Sequence, residues 1–193
     1  MEADTGMKVM QFKDQRRWAA WLESHHADSA GLWLQIAKKA AVAQSVSYPD
    51  AVEAALCFGW IDGQKKTSDD GWWLQKFTPR GPKSLWAKAN REKAEELITH
   101  GRMKPAGLKA IETARQNGRW DRAYDSPRGA EVPVDLQREL SAHTRAKAFF
   151  ATLDRANRYA ILFRVQTAIR PETRARRIQK LIGMLERHEK LHP

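Results

Sequence analysis

Trp60-Ile61-Asp62-Gly63-Gln64-Lys65-Lys66 and Trp72-Trp73-Leu74-Gln75-Lys76-Phe77 are the two runs whose reading decides the fold. Thr67-Ser68-Asp69-Asp70-Gly71 separates them. Asp70-Gly71 is a hairpin signal, because glycine accepts a positive φ without steric cost. The flanking runs are rich in aromatic residues, which favour strands. The spacing predicts a β-hairpin. Alternation places Trp72, Leu74 and Lys76 on one face and Trp73, Gln75 and Phe77 on the other.

Outward from the hairpin the pattern turns helical. Upstream, Ser47-Tyr48-Pro49-Asp50 reads as a helix start, with Ser47 as the cap and Asp50 at the positive end of the helix dipole. That helix runs through Val52, Ala55 and Leu56 and stops near Gly59. Leu32, Leu34 and Ile36 alternate with Trp33, Gln35 and Ala37, a strand with one core face. Trp18, Trp21, Leu22 and His25 share one face of an earlier helix. Downstream, Ser84 is the expected cap of a helix through Leu97 and Ile98 that Gly101 ends. A further helix follows Pro105 and ends at Asn117-Gly118.

Hairpin-connected strands with helices outside them imply an α+β fold rather than a doubly wound one. The expected architecture is a small antiparallel sheet with a hairpin packed by helices, followed by a C-terminal all-helical lobe. Residues 1–118 form the α+β domain. Residues 119–133, with Pro127, Gly129 and Pro133, are the expected linker. Residues 134–193 form the lobe, with helices over 134–140, 144–153 and 155–169 and a last one from Pro171. In that last helix Ile178, Leu181, Ile182 and Leu185 make an apolar stripe.

The chain has 193 residues, 42% of them hydrophobic, enough for a core. No apolar run approaches the ~18–20 residues that cross a bilayer, so no membrane span is expected. The first ten residues lack the apolar segment of a secretory signal. A single cysteine, Cys57, excludes an internal disulfide framework and fits a reducing compartment. The cytoplasm is the expected location.

The net charge of +11 is uneven. Residues 155–193 carry ten bases against three acids, +7, and the rest of the chain carries +4. Such a field attracts polyanions or serves solubility alone. The expected partners are an anionic small molecule, an acidic protein surface or nucleic acid.

Catalytic motifs are absent: there is no Gly-x-Ser-x-Gly elbow and no glycine-rich phosphate loop. Adjacent His25 and His26 point about 100° apart on a helix, so no metal site is expected. No cofactor is expected. Cys57 lies in an apolar run and reads as a small hydrophobe rather than a nucleophile.

What remains is an aromatic–basic constellation between residues 60 and 90. Its candidate ligand-binding residues are Trp60, Asp62, Lys65, Lys66, Arg80 and Trp86. Rings beside bases can stack a ligand while neutralising a phosphate or carboxylate. The bland alternative has the tryptophans in the core and the lysines reaching past them. Asp62 could accept a proton, as in an unrecognised enzyme, or bind a cationic ligand group; the bland reading pairs it with Lys65, Lys66 or a backbone N–H, where it fixes the turn. An alternative nucleic-acid surface is the polar face of the last helix, with Arg174, Arg177, Lys180 and Arg187.

Several segments carry a family resemblance. They are Glu53 through Gly63, Phe77-Thr78-Pro79-Arg80, Trp120-Asp121 with Ala123-Tyr124-Asp125, Asn157 through Leu162, and Arg170-Pro171-Glu172-Thr173-Arg174 through Ile178. From about Gly31 to Pro193 the chain resembles the YdeI/OmpD-associated, or bacteriocin-protection, family. The resemblance implies a part in stress tolerance and protection against cationic antimicrobial peptides. It implies no catalytic residues.

Overall fold

The structure is a computed structural model and describes residues 6–38, 44–68 and 71–193. The chain divides into two compact units, 1–84 with 92–114, and 85–91 with 115–193.

The first unit is built on a four-stranded sheet of order β1-β2-β4-β3. Its strands are β1 (Val9–Gln11), β2 (Leu32–Ala37), β3 (Trp60–Thr67) and β4 (Trp72–Pro79). The expected hairpin is present, with β3 antiparallel to β4 and Asp62 opposite Phe77. Asp69 and Asp70 of its turn lie outside the described residues. β2 pairs antiparallel with β4, Leu34 opposite Gln75. β1 runs parallel to β2, so the sheet is mixed rather than wholly antiparallel. Three residues with Val9 exposed carry no alternation of their own. Only the pairing with β2 makes them a strand.

Two helices, α1 (Gln15–His25) and α2 (Tyr48–Cys57), accompany the sheet. Asp14 caps α1 by accepting from the Arg17 N–H, and Ser47 caps α2 by accepting from that of Asp50. Trp18 and Leu22 are fully buried with Leu32, Leu34, Trp60 and Phe77. The Trp18 ring lies 5.6 Å from Phe77 and edge-on to Trp60 at 6.2 Å. Its indole N–H donates to the Ala51 carbonyl, joining α1 to α2. A buried indole gains packing only if its N–H keeps a partner. The other face of β2 is covered too, since Trp33 is 3% exposed, which departs from the single core face expected of this strand.

Gly59, at φ +71°, turns the chain from α2 into β3, a conformation that costs a residue with a Cβ. Gly107 lies in α4 (Pro105–Gln116), where an added Cβ would fall 2.4 Å from the Cys57 carbonyl oxygen. The glycine lets α4 touch the end of α2 by backbone.

α3 (Lys88–Thr99) starts four residues later than expected. Ser84 caps no helix; its hydroxyl accepts from the Gly81 N–H and closes the preceding loop. Within the second unit Ala87 bridges to Tyr124, and Trp86 packs edge-on to Trp120 at 4.8 Å. That pairing keeps Leu85 and Trp86 out of the helix.

The second unit is otherwise helical, with α5 (Val134–Ala142), α6 (Thr144–Thr152), α7 (Arg155–Gln166) and α8 (Pro171–Glu186). Leu136, Leu140, Phe150, Ile161, Val165 and the stripe Ile178, Leu181, Ile182, Leu185 form its core. Residues 119–133 are irregular and belong to this unit. Trp120 and Ala123 are buried, and Asp125 is held by Lys88, Gln166 and Tyr159. Proline and glycine prevented regular structure there without preventing packing.

Candidate functional site

The hairpin places its charged residues by a bulge. The β3–β4 register shifts between Asp62 and Lys65. A bulge leaves ladder groups unpaired. Buried Gln75 answers this by donating from Nε2 to the Gly63 carbonyl at 2.8 Å and the Gln64 carbonyl at 3.3 Å. Beyond the bulge, Lys65 stands opposite Gln75 and Lys66 opposite Leu74, so the two lysines take opposite faces.

Each lysine rests on an indole. Lys65 Nζ lies 4.3 Å from the Trp73 ring centre, and Lys66 Nζ lies 4.2 Å from that of Trp33. Lys76 reaches the Trp33 ring more distantly, at 5.9 Å. Such contacts contribute about 0.5–1 kcal/mol at exposed sites. Lys65 and Lys66 are exposed, and neither has a carboxylate partner among the described residues. The indoles hold their charge in place.

Asp62 takes a partner other than the expected lysine or backbone N–H. The Tyr48 hydroxyl donates to its Oδ2 at 2.7 Å. The Tyr48 ring in turn lies 5.6 Å from Trp73. Tyr48, Asp62, Trp73 and Lys65 thus form one contiguous group at the hairpin.

The other candidate residues are placed differently. Trp60 is 1% exposed, and its N–H is taken by the His26 carbonyl. Trp86 is buried in the second unit. Neither presents a ring face to solvent. Arg80 is partly buried beside the hairpin, its backbone N–H donating to the Gly59 carbonyl. Tyr48 and Trp33 complete the hairpin group and were missing from the sequence candidates. Tyr48 read only as part of a helix start, and Trp33 only as the outward residue of a strand.

On α8 the expected cationic face is partly spent on structure. Arg174 donates to both Asp135 oxygens and to the Val165 carbonyl. Arg187 grips Glu189 through two bonds. Arg177 donates to the neutral Arg164 carbonyl, and Lys180 is exposed. The charge follows the compact units: the second holds nineteen bases against nine acids, +10, and the first fifteen against fourteen, +1.

Glu53 ties Gln15, Lys93 and Arg102 together in the first unit. Burial alone would raise its carboxyl, but the hydrogen bonds from Gln15 and Arg102 and the charges of Arg102 and Lys93 hold it below the ordinary value. Cys57 is buried, and burial pushes its thiol up, as befits a packing residue. Among the described residues no cluster of three or more His, Cys, Asp or Glu could hold a metal ion. Among them, too, no helix is long and apolar enough to cross a membrane.

Two family models match the chain. Residues 10–110 match a family described as Domain of unknown function (DUF8412). Residues 129–188 match a family described as Bacteriocin-protection, YdeI or OmpD-Associated. The second match takes in Asn157–Leu162 and Arg170–Ile178, whereas Glu53–Gly63 falls in the first. No curated protein and no solved structure matches the chain.

Proposed function

We propose that this chain, which belongs over residues 10–110 to a family of domains of unknown function and carries a bacteriocin-protection, YdeI or OmpD-associated domain over residues 129–188, is a non-enzymatic binding protein that takes an anionic ligand at the β3–β4 hairpin. One observation carries the reading: exposed Lys65 and Lys66 are each seated over an indole with no carboxylate partner among the described residues. A lysine already held in place loses less rotamer freedom on binding. Trp73 offers a partly exposed ring beside Lys65. A ligand with a flat or apolar body and a phosphate or carboxylate fits that pairing.

The family description supports a role in resistance to antimicrobial peptides. A chain of net charge +11 repels cationic peptides, so direct sequestration is disfavoured. The protective effect runs instead through the anionic ligand or an acidic partner.

The test is a thermal-shift screen of nucleotides, single-stranded nucleic acids and anionic metabolites on the parent chain and on K65E/K66E. A native-state ligand at 100 times its Kd adds about 2.7 kcal/mol of stability. Compounds that stabilise the parent and not the variant support the reading. If none stabilises the parent, or all stabilise both chains equally, the hairpin is not the site.

A further inference from the structure

We infer that the corner where α7 runs into α8 is a docking face for the phosphodiester backbone of a nucleic-acid duplex. Five bases line this stretch: Arg164 near the end of α7, Arg170 just before α8, and Arg176, Arg177 and Lys180 along α8. All five are exposed, and Glu172 is the one acid in the same stretch. Among the described residues none of the five pairs with a carboxylate. Arg177 donates to the carbonyl of Arg164, which draws the two residues together and leaves the positive charge intact.

Helix geometry sets the direction of the face. Ile178, Leu181, Ile182 and Leu185 point α8 into the core of its unit. At about 100° per residue, Arg176 and Lys180 fall on the opposite side. They are about 6 Å apart along the axis, from the rise of about 1.5 Å per residue. A duplex strand offers one phosphate per about 3.4 Å of its axis, so two bases at that interval can engage separate phosphates. The surrounding unit adds a net charge of +10 to steer a polyanion.

The same residues argue against other anionic partners. A helix lying on a lipid surface must bury an apolar face, and the apolar face of α8 is already spent on the core. A single strand is gripped by stacking its bases on rings, and the five residues include no ring. Against a membrane and a single strand, these residues favour a regular row of phosphates, recognised independently of sequence. This face belongs to the second unit and the hairpin to the first, and either proposal can fail without the other.

Fluorescence anisotropy of the full chain with labelled DNA and RNA duplexes of about 20 base pairs, from about 50 to 200 mM salt, tests the assignment. The expected result is binding that falls steeply with salt. R176E/K180E should weaken it at least tenfold at the lowest salt and lower the log–log salt slope by about 2, one unit per lost phosphate contact. If R176E/K180E lowers the melting temperature, R176Q/K180Q replaces it, with the same direction expected. DNA and RNA arms together show whether one duplex geometry is preferred. Absence of duplex binding at the lowest salt, parent-like binding by R176E/K180E or R176Q/K180Q, or preferential binding to phosphatidylglycerol vesicles would each overturn the proposal.

Discussion

Arg174 grips Asp135 side-on, Nη2 to Oδ1 at 2.8 Å and Nε to Oδ2 at 2.5 Å, tying the first turn of α5 to α8. Its remaining nitrogen, Nη1, donates to the Val165 carbonyl on α7 at 2.8 Å. One half-buried guanidinium therefore joins three helices. Arg174→Ala strands a carboxylate and a carbonyl together, and should cost about 2–4 kcal/mol. Arg174→Lys keeps the charge but loses the fork, and should recover only part of it. Urea denaturation of the parent and both variants gives the ranking. Equal stability of Arg174→Lys and the parent would mean that charge alone matters.

The pH dependence follows from the same pair. The Arg174 hydrogen bond, against the opposing effect of burial, holds the Asp135 carboxyl below its ordinary value of 3.8. Glu53 is likewise held below 4.5, its partners outweighing burial. For a carboxyl depressed in the folded state, the unfolded chain takes up the proton first. The stability is therefore complete above the unfolded value and is lost as pH falls through the folded one. Melting temperature should be flat above about pH 5 and fall below it. In Arg174→Ala the fall should be shallower. An unchanged acid slope in that variant would remove Asp135 from the account.

Buried Asn157 holds the segment that follows α8. Its Oδ1 accepts from the Leu191 and His192 N–H groups at 3.0 and 2.9 Å, and its Nδ2 donates to Asp154 and to the His192 carbonyl. Asn157→Leu fills the space but removes every bond. It should cost about 2–3 kcal/mol, and the Leu191 and His192 amides should lose protection in hydrogen exchange. Retained protection would show that packing alone holds the segment.

Gln75 is the sheet's counterpart. Replacing it by Leu leaves the bulge carbonyls of Gly63 and Gln64 without this donor. The expected cost is about 1–3 kcal/mol. Because the bulge sets which face each lysine takes, ligand binding at Lys65 and Lys66 should weaken beyond what lost stability explains. Calorimetry with any compound from the screen, below the melting transition, separates the two effects.

Gly107→Ala puts a methyl against the Cys57 and Leu56 carbonyl oxygens, at 2.4 and 2.8 Å before any movement. Helix propensity alone predicts a gain of about 1 kcal/mol from this change. The crowding should reverse the sign, and a chain more stable than the parent would show that α4 simply shifts away.

Much of this molecule is local, and that part the sequence determined by itself. The hairpin, the capped start of α2, the helix after Pro105 and the four C-terminal helices follow from turn chemistry, caps and the 3.6-residue period, all set by neighbours in the chain. Tertiary structure decided what depends on partners far away in sequence. β1 is a strand only because β2 lies beside it. Trp86 leaves the helix because Trp120 and Tyr124 claim it. Trp60 was drawn into the core, and Tyr48 came to Asp62 across fourteen residues. Charge divides in the same way. Composition fixes the +11, but which arginines remain available to a partner depends on carboxylates and carbonyls brought to them by folding, as Arg174 and Arg176, two residues apart on one helix, make plain.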